Sequence, residues 1–274
     1  MCKELEISRD SYYKWQKRKN IKNKYQLNHE SLIPLIQKYY ELSNGTAGYR
    51  QIKDQLAEHE GLIISYYMAY IVKCLILKLP AVRQPKKNKG EYTVATEDNE
   101  TKYTYKNLAE NIDINDIYQV ISTDTTEVKL EKGGKQNISF IIDAYSSEIL
   151  AASIGKSLNS DFIEYNLDLL NTSDYNFKNV ILHSDRGGMY KSVIYNKKTT
   201  EMNLIPSMSA PYTCTHNPWI ETLNGQFKDF IKNNYPKNLD ELQIVLNKFV
   251  YYNNNIKIKN KLKTTPINYR CCHS

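Results

Sequence analysis

Hydrophobic positions along the first eighty residues keep helical spacing. Leu32, Ile33, Leu35, Ile36, Tyr39 and Tyr40 line one side of a segment over 31–43, and Ser43-Asn44-Gly45 breaks it. Gly48-Tyr49-Arg50 opens a second helix with Ile52 and Leu56 on its buried side, and a third apolar stretch runs from Gly61 to about Leu79. A shorter segment over 4–19 ends in Lys17-Arg18-Lys19. Short helices around a glycine turn predict a helix-turn-helix-like region over 1–82. A helical bundle with no role on DNA fits the same spacing.

From about 117 the period changes. Tyr118 to Asp124, Ile138 to Asp143 and Ile149 to Ile154 read as three successive strands, with Gly133-Gly134 as a tight turn, so they are expected to be antiparallel. A helix is predicted at 159–171, a buried strand over Asn179–His183, a helix near 189–199 and a short strand at Leu204-Ile205-Pro206. Two helices, 217–234 and 238–254, follow. The order describes an α/β unit with a mixed five-stranded sheet and flanking helices over 115–274. Residues 83–114, with Pro85, Lys86, Lys87 and Lys89, read as the linker.

Charge sharpens that division. The 274 residues carry a net charge of +7, but 1–90 hold 17 Lys and Arg against 8 Asp and Glu, whereas 91–274 hold 20 against 22. The first part therefore suits a polyanion. Tyr49, Arg50, Lys17, Arg18 and Lys19 are its candidate DNA-binding residues. Lys257, Lys259, Lys261, Lys263 and Arg270 form a second basic run, read as a tail for backbone contact or as a solvated end. No apolar run reaches the ~18 residues of a membrane span. The start shows no signal-peptide pattern, and the five cysteines show no zinc spacing. A membrane partner is not expected, and a cytoplasmic location is.

Three acids stand at predicted element ends. Asp124 ends the first strand of the α/β unit, Asp185 follows the buried strand, and Glu221 lies in the first turns of the helix near 217. Strand ends of an α/β sheet are where sites form. Carboxylates gathered there repel one another unless a divalent cation lies between them. Thirty-five residues separate Asp185 from Glu221, and Lys228 follows Glu221 by seven, which puts both on one helical face. Lys228 is thereby a candidate phosphate-positioning, DNA-binding residue.

The blocks Ser122-Thr123-Asp124-Thr125-Thr126, His183-Ser184-Asp185-Arg186-Gly187-Gly188-Met189-Tyr190, Ser207-Met208-Ser209, Asn217, Ile220-Glu221, Asn224 and Lys228 resemble the DDE transposase and retroviral integrase superfamily. More narrowly they resemble the second-frame transposases of the insertion sequence 3 family. Tyr252-Asn253, Leu262, Thr265-Pro266 and Tyr269 complete the likeness, and Ile7 to Trp15 with Gly48-Tyr49-Arg50 extend it upstream. The resemblance implies a ribonuclease H-like fold. It also implies a catalytic, metal-binding triad of Asp124, Asp185 and Glu221, and Mg²⁺ as cofactor with Mn²⁺ as substitute. Implied partners are double-stranded DNA at element ends and target, further copies of the chain, and an upstream-frame product. The chain departs from the family at Ile121, His216 and Ile256, where Trp, Asp and Arg are common. Two alternatives stand beside strand transfer: an impaired remnant that only binds DNA, and a nuclease without strand transfer. His183 and His216 are secondary candidates beside the acids, each with a structural role as the blander reading.

Overall fold

The computed structural model describes residues 8–18, 24–80, 103–110, 112–172, 175, 177–209 and 217–273. Two compact units divide the chain: Met1–Glu41 with Ala47–Pro80, and Leu42–Thr46 with Ala81–Ser274.

In the first unit lie α1 (Arg9–Arg18), α2 (Lys24–Leu42), α3 (Tyr49–Glu60) and α4 (Tyr66–Tyr70), the last continuing as a π-helical turn over Ile71–Ile76. Helix α2 begins upstream of the apolar stripe and carries Pro34 on an exposed face. Leu32, Ile36 and Tyr39 of α2, Ile52 and Leu56 of α3, and Ala69 and Val72 beyond them are buried. Gly61 ends α3 at φ +63°, a left-handed cap that only glycine adopts without strain. The expected third helix is short. Its apolar stretch ends where buried Lys73 donates to the carbonyls of Leu79 (2.7 Å) and Pro80 (3.2 Å).

The second unit is built on a five-stranded sheet of order β3-β2-β1-β4-β5. Its strands are β1 (Val120–Lys129), β2 (Lys135–Asp143), β3 (Ile149–Gly155), β4 (Ile181–Ser184) and β5 (Ile205–Met208). β1 pairs antiparallel with β2, and β2 with β3, as the turn residues predict; β1–β4 and β4–β5 are parallel. Alternation along β2 feeds two cores. Ile141 packs with Ile121, Leu182 and the helices α5 (Ser160–Asn171) and α6 (Val193–Glu201). Ile138, Phe140 and Ile142 face Phe227 and Phe230 of α7 (Pro218–Ile231) and Leu246 and Phe249 of α8 (Leu239–Tyr251). Gly155 closes one of these layers: a Cβ there would meet the Phe162 ring at 2.5 Å.

Three differences from the sequence expectation concern the site. Strand β1 does not end at Asp124 but runs on to Lys129, because Thr125 to Lys129 stay paired with β2 and bury Thr126 and Val128. Part of the expected linker is packed: the Met208 amide donates to the Lys106 carbonyl (3.3 Å), and the Leu108 amide to Ser207 Oγ (2.9 Å). The expected basic tail is folded. A π-helical turn (Tyr252–Ile256) leads into a Lys259–Thr264 bridge and then α9 (Pro266–His273).

Candidate active site

Parallel pairing of β1 with β4 stops at Ser122–His183. Asp124 therefore stands two residues beyond the last β4 partner, and Asp185 immediately follows β4. Both acids occupy the carboxyl end of the parallel pair, the edge where α/β sheets form sites. Glu221 comes to the same edge on the first turn of α7.

Side-chain bonds fix that helix to the strand. Asn217, buried at the start of α7, accepts from Ser122 Oγ and donates to the Thr123 carbonyl at 3.4 Å. One turn on from Glu221, Asn224 Nδ2 donates to Asp124 Oδ2 at 2.9 Å. Glu221, Asn224 and Lys228 are spaced by three and four and share one helical face, so the Asn224 bond turns that face toward Asp124.

Electrostatics confirm the gathering. Burial pushes the Asp124 carboxyl up to about 7, and the charges of Asp185 and Glu221 push the same way; the Thr125 amide and Lys228 oppose them. Asp185 is raised by the protein packed around its carboxylate, although the residue keeps an exposed edge, and is partly compensated by the Gly187 amide and Lys191. The Gly187 amide donates to Asp185 Oδ1 at 2.8 Å, and a Cβ on Gly187 would meet that oxygen at 3.0 Å, so glycine lets the loop fold back. Glu221 is exposed and raised by partial desolvation. Beneath them Tyr190 is fully buried, its hydroxyl 3.5 Å from Thr123 Oγ1; burial and then the charges of Asp185 and Asp124 hold it in the neutral phenol form.

The charges of Asp185 and Glu221 both reach Asp124, but among the described residues no three His, Cys, Asp or Glu side chains stand close enough to hold a metal ion. Their chemistry nonetheless fits one. An all-oxygen donor set suits a hard divalent cation, and the repulsion that adds to burial in raising Asp124 is what such a cation would relieve.

His183 has a different place. It is buried, with Nδ1 2.9 Å from Ser207 Oγ and Nε2 3.1 Å from Ser209 Oγ. Both ring nitrogens are engaged, so the imidazole ties β4 to β5 and its far end. His216 and Lys19 lie outside the described residues, as does the Arg18 side chain. Lys17 is exposed on α1, and Arg50 sits 5.8 Å from the Tyr49 ring on α3; these residues belong to the first unit. Ile121 is a core residue and Ile256 packs against the second core, so these two departures from the family pattern fall on packing positions. Sequence reasoning singled out Asn224 without a role. Its spacing from Glu221 was the available signal. Tyr190 offered none beyond its place in a motif.

A sheet of this order with carboxylates at the β1/β4 edge and on a following helix defines the integrase-core class of ribonuclease H-like folds. Residues 114–214 match the family described as "Integrase core domain". The chain is 29% identical over 151 residues to an uncharacterized transposase-like protein of Haemophilus influenzae, covering 54% of this chain and 69% of that one. It is 30% identical over 151 residues to a protein named as the transposase InsK for insertion sequence element IS150 of Escherichia coli, of whose length it spans about half, 53%. Against the transposase for insertion sequence element IS629 of Shigella sonnei it is 24% identical over 97% of this chain and 88% of the relative. Among solved structures, it is similar to a chain of the simian T-cell lymphotropic virus intasome in complex with PP2A regulatory subunit B56 gamma. That match has TM-score 0.53 and 12% identity over 87% of this chain and 72% of that one. The chain thus carries an integrase core and is similar to transposases of insertion sequences.

Proposed function

We infer that this chain is the strand-cleaving and strand-joining enzyme of an insertion sequence, and that Asp124, Asp185 and Glu221 are its catalytic carboxylates. The observation that carries the assignment is the placement of the three acids at the carboxyl edge of β1 and β4, where Asn224, one turn from Glu221, donates to Asp124 at 2.9 Å and the charges of Asp185 and Glu221 add to burial in raising Asp124. Three acids from three separate elements are pressed into one field at the carboxyl edge of β1 and β4. A fold stabilised only by packing has no use for that repulsion.

The three carboxylates would hold Mg²⁺, with Mn²⁺ able to substitute. When bound, the metal supplies Lewis acidity at a phosphoryl oxygen and lowers the pKa of an attacking water or 3′-hydroxyl. The chain's own groups orient the site. Asn224 fixes the rotamer of Asp124, and the Gly187 amide fixes Asp185. Lys228, on the Glu221 face of α7, binds a phosphate oxygen beside the scissile bond as a compact cation. Cleavage frees a 3′-hydroxyl at the element end, and that hydroxyl attacks a second phosphodiester. The sequence of two displacements at phosphorus requires no covalent protein–DNA bond.

The substrate is double-stranded DNA at element ends and target. The basic first unit, through Tyr49, Arg50 and the Lys17-Arg18-Lys19 run, carries the larger share of non-specific affinity. Joining two ends requires more than one copy on DNA, and an upstream-frame product is the further partner. No helix among the described residues is long and apolar enough to cross a membrane. Action on DNA fits the cytoplasm. Incubating the protein with duplex carrying the flanking ends of its own gene and Mg²⁺ tests the reading. Nicked and joined products are expected; binding with neither product would mark an impaired remnant, and cleavage alone a nuclease.

A further inference from the structure

Five lysines and arginines near the end of the chain look alike in sequence, yet two of them are tucked in. Lys257 leaves the π-helical turn in extended conformation, and Lys259 forms a backbone bridge with Thr264. Extended geometry puts residues two apart on one side of the chain, about 7 Å from each other. Lys257 Nζ donates to Gln226 Oε1 at 2.6 Å, and Lys259 Nζ to Asn253 Oδ1 at 2.8 Å. Both acceptors are neutral amides. Among the described residues neither ammonium is paired with a carboxylate. Burial lowers Lys257 to about 8; burial and then the charge of Lys257 lower Lys259 well below the ordinary lysine range.

We propose that Lys257 and Lys259 form an anion site that takes a phosphate group of the polynucleotide backbone, on the flank of α7 turned away from the carboxylates. An ammonium has three donors, and each of these has one bonded partner. A phosphate diester offers two anionic oxygens, one for each amine, and restores the charge balance that two amides cannot supply. Among the described residues, Arg270 Nε is bonded to both oxygens of Glu148, whereas Lys73 of the first unit has two nearby carbonyl acceptors and no like charge beside it. Gln226 follows Glu221 by five, which turns it roughly 140° around the helix. An anion held by Lys257 would therefore brace α7 from the side opposite its working face. Lys261 and Lys263 follow along the chain, exposed, with Lys261 Nζ over the Tyr145 ring at 3.7 Å. Only the choice of DNA as the source of the phosphate rests on the transposase reading; the anion site stands without it.

Sulfate is the probe, since it does not titrate near neutrality. Calorimetric titration of the full chain at constant ionic strength should show saturable sulfate binding with proton uptake near pH 8. The bonded acceptors, Gln226 and Asn253, do not titrate, and among the described residues the only charge acting on either amine is that of Lys257 on Lys259, so the uptake is assigned to the lysines. Affinity should fall roughly tenfold for each pH unit above the Lys257 value once the amine must be protonated to bind. Lys257→Gln and Lys259→Gln should each lose at least about tenfold, Lys257→Arg should bind with less proton uptake, and Lys261→Gln with Lys263→Gln should bind as the parent does. Absence of saturable binding in the parent, or equal binding by Lys257→Gln, overturns the site. In a second arm, the salt dependence of duplex binding by Lys259→Gln should be shallower by about one unit of slope. Sulfate binding with an unchanged DNA slope assigns the site to free oxyanions and overturns the polynucleotide. A chain that passes both arms yet never cleaves DNA would fail the enzymatic reading and keep the anion site.

Discussion

Two places in the α/β unit crowd like charges, and they are mirror images in sign. At the β1/β4 edge, Asp124 is raised to about 7 with Asp185 and Glu221 as neighbours. Behind α7, Lys257 is lowered to about 8 and Lys259 further. A third place shows what a finished ionic contact looks like. Glu148, almost wholly buried, accepts from Arg270 Nε at 3.2 Å on both oxygens and from the Tyr175 hydroxyl at 2.9 Å. That contact ties α9 to the start of β3 and gives Glu148 a cation of its own, although burial still holds its carboxyl above the ordinary range. The difference separates structural charge from functional charge. Where the fold needs a buried ion it supplies the partner, and where it leaves the repulsion standing, the partner comes from outside.

The comparison breaks most sharply on catalysis. Asp185→Asn should lower Mg²⁺-dependent strand cleavage by about 10³-fold or more, the order lost with a group that stabilises transition-state charge. Duplex affinity should stay near the parent's. A rate within tenfold of the parent, measured in single turnover, would remove Asp185 from the site.

Stability gives the next test. The folded pKa of Asp124 lies above its unfolded value, so its contribution is fully present below about 4 and is lost as pH rises through about 7. Metal-free protein should thus lose stability across that window. Asp124→Asn should flatten the loss and gain on the order of 2 kcal/mol at pH 8, allowing for partial solvent access. Mg²⁺ should raise the parent's melting temperature more at pH 8 than at pH 6, because protons compete for the same carboxylate, and should do little for the variant. Denaturation at several pH values with and without metal checks both signs.

Asn224→Ala removes the side-chain amide that donates to the Asp124 carboxylate. Cleavage should fall roughly 10–100-fold, the usual cost of losing a group that orients a metal ligand. Its pH profile should move to higher pH, since the charged form loses support. An unshifted profile with lower rate would point to packing alone. Lys228→Ala should have the smallest effect, roughly tenfold at limiting DNA with a salt slope shallower by about one unit. Lys228→Arg should retain more, and metal binding without DNA should change little in either. A parent-like rate for Lys228→Ala would return that lysine to the solvated surface.

Much of this arrangement is legible in the chain before folding. The apolar run of Ile138, Phe140, Ile141 and Ile142 reads as a strand buried on both faces, and the spacing of Glu221, Asn224 and Lys228 reads as one helical face. The reach of β1 beyond Asp124 was not legible. Thr125 to Lys129 is largely polar, and backbone pairing with β2 holds it there rather than a hydrophobic signal. The same limit hid the two C-terminal sorts of lysine. Composition groups Lys257 and Lys259 with Lys261 and Lys263, whereas the fold draws two inward against Gln226 and Asn253, lays Lys261 over the Tyr145 ring and leaves Lys263 exposed. His183 was ambiguous for a related reason: its partners, Ser207 and Ser209, are twenty-four and twenty-six residues away and meet it only across β5.

The most direct test of the account is strand joining by Glu221→Gln. The parent and this variant should be assayed side by side on duplex bearing the element's own ends, with Mg²⁺, and with DNA binding measured on the same preparations. The account predicts joined products from the parent alone and equal binding by both. Joined products from Glu221→Gln at the parent's rate would contradict it.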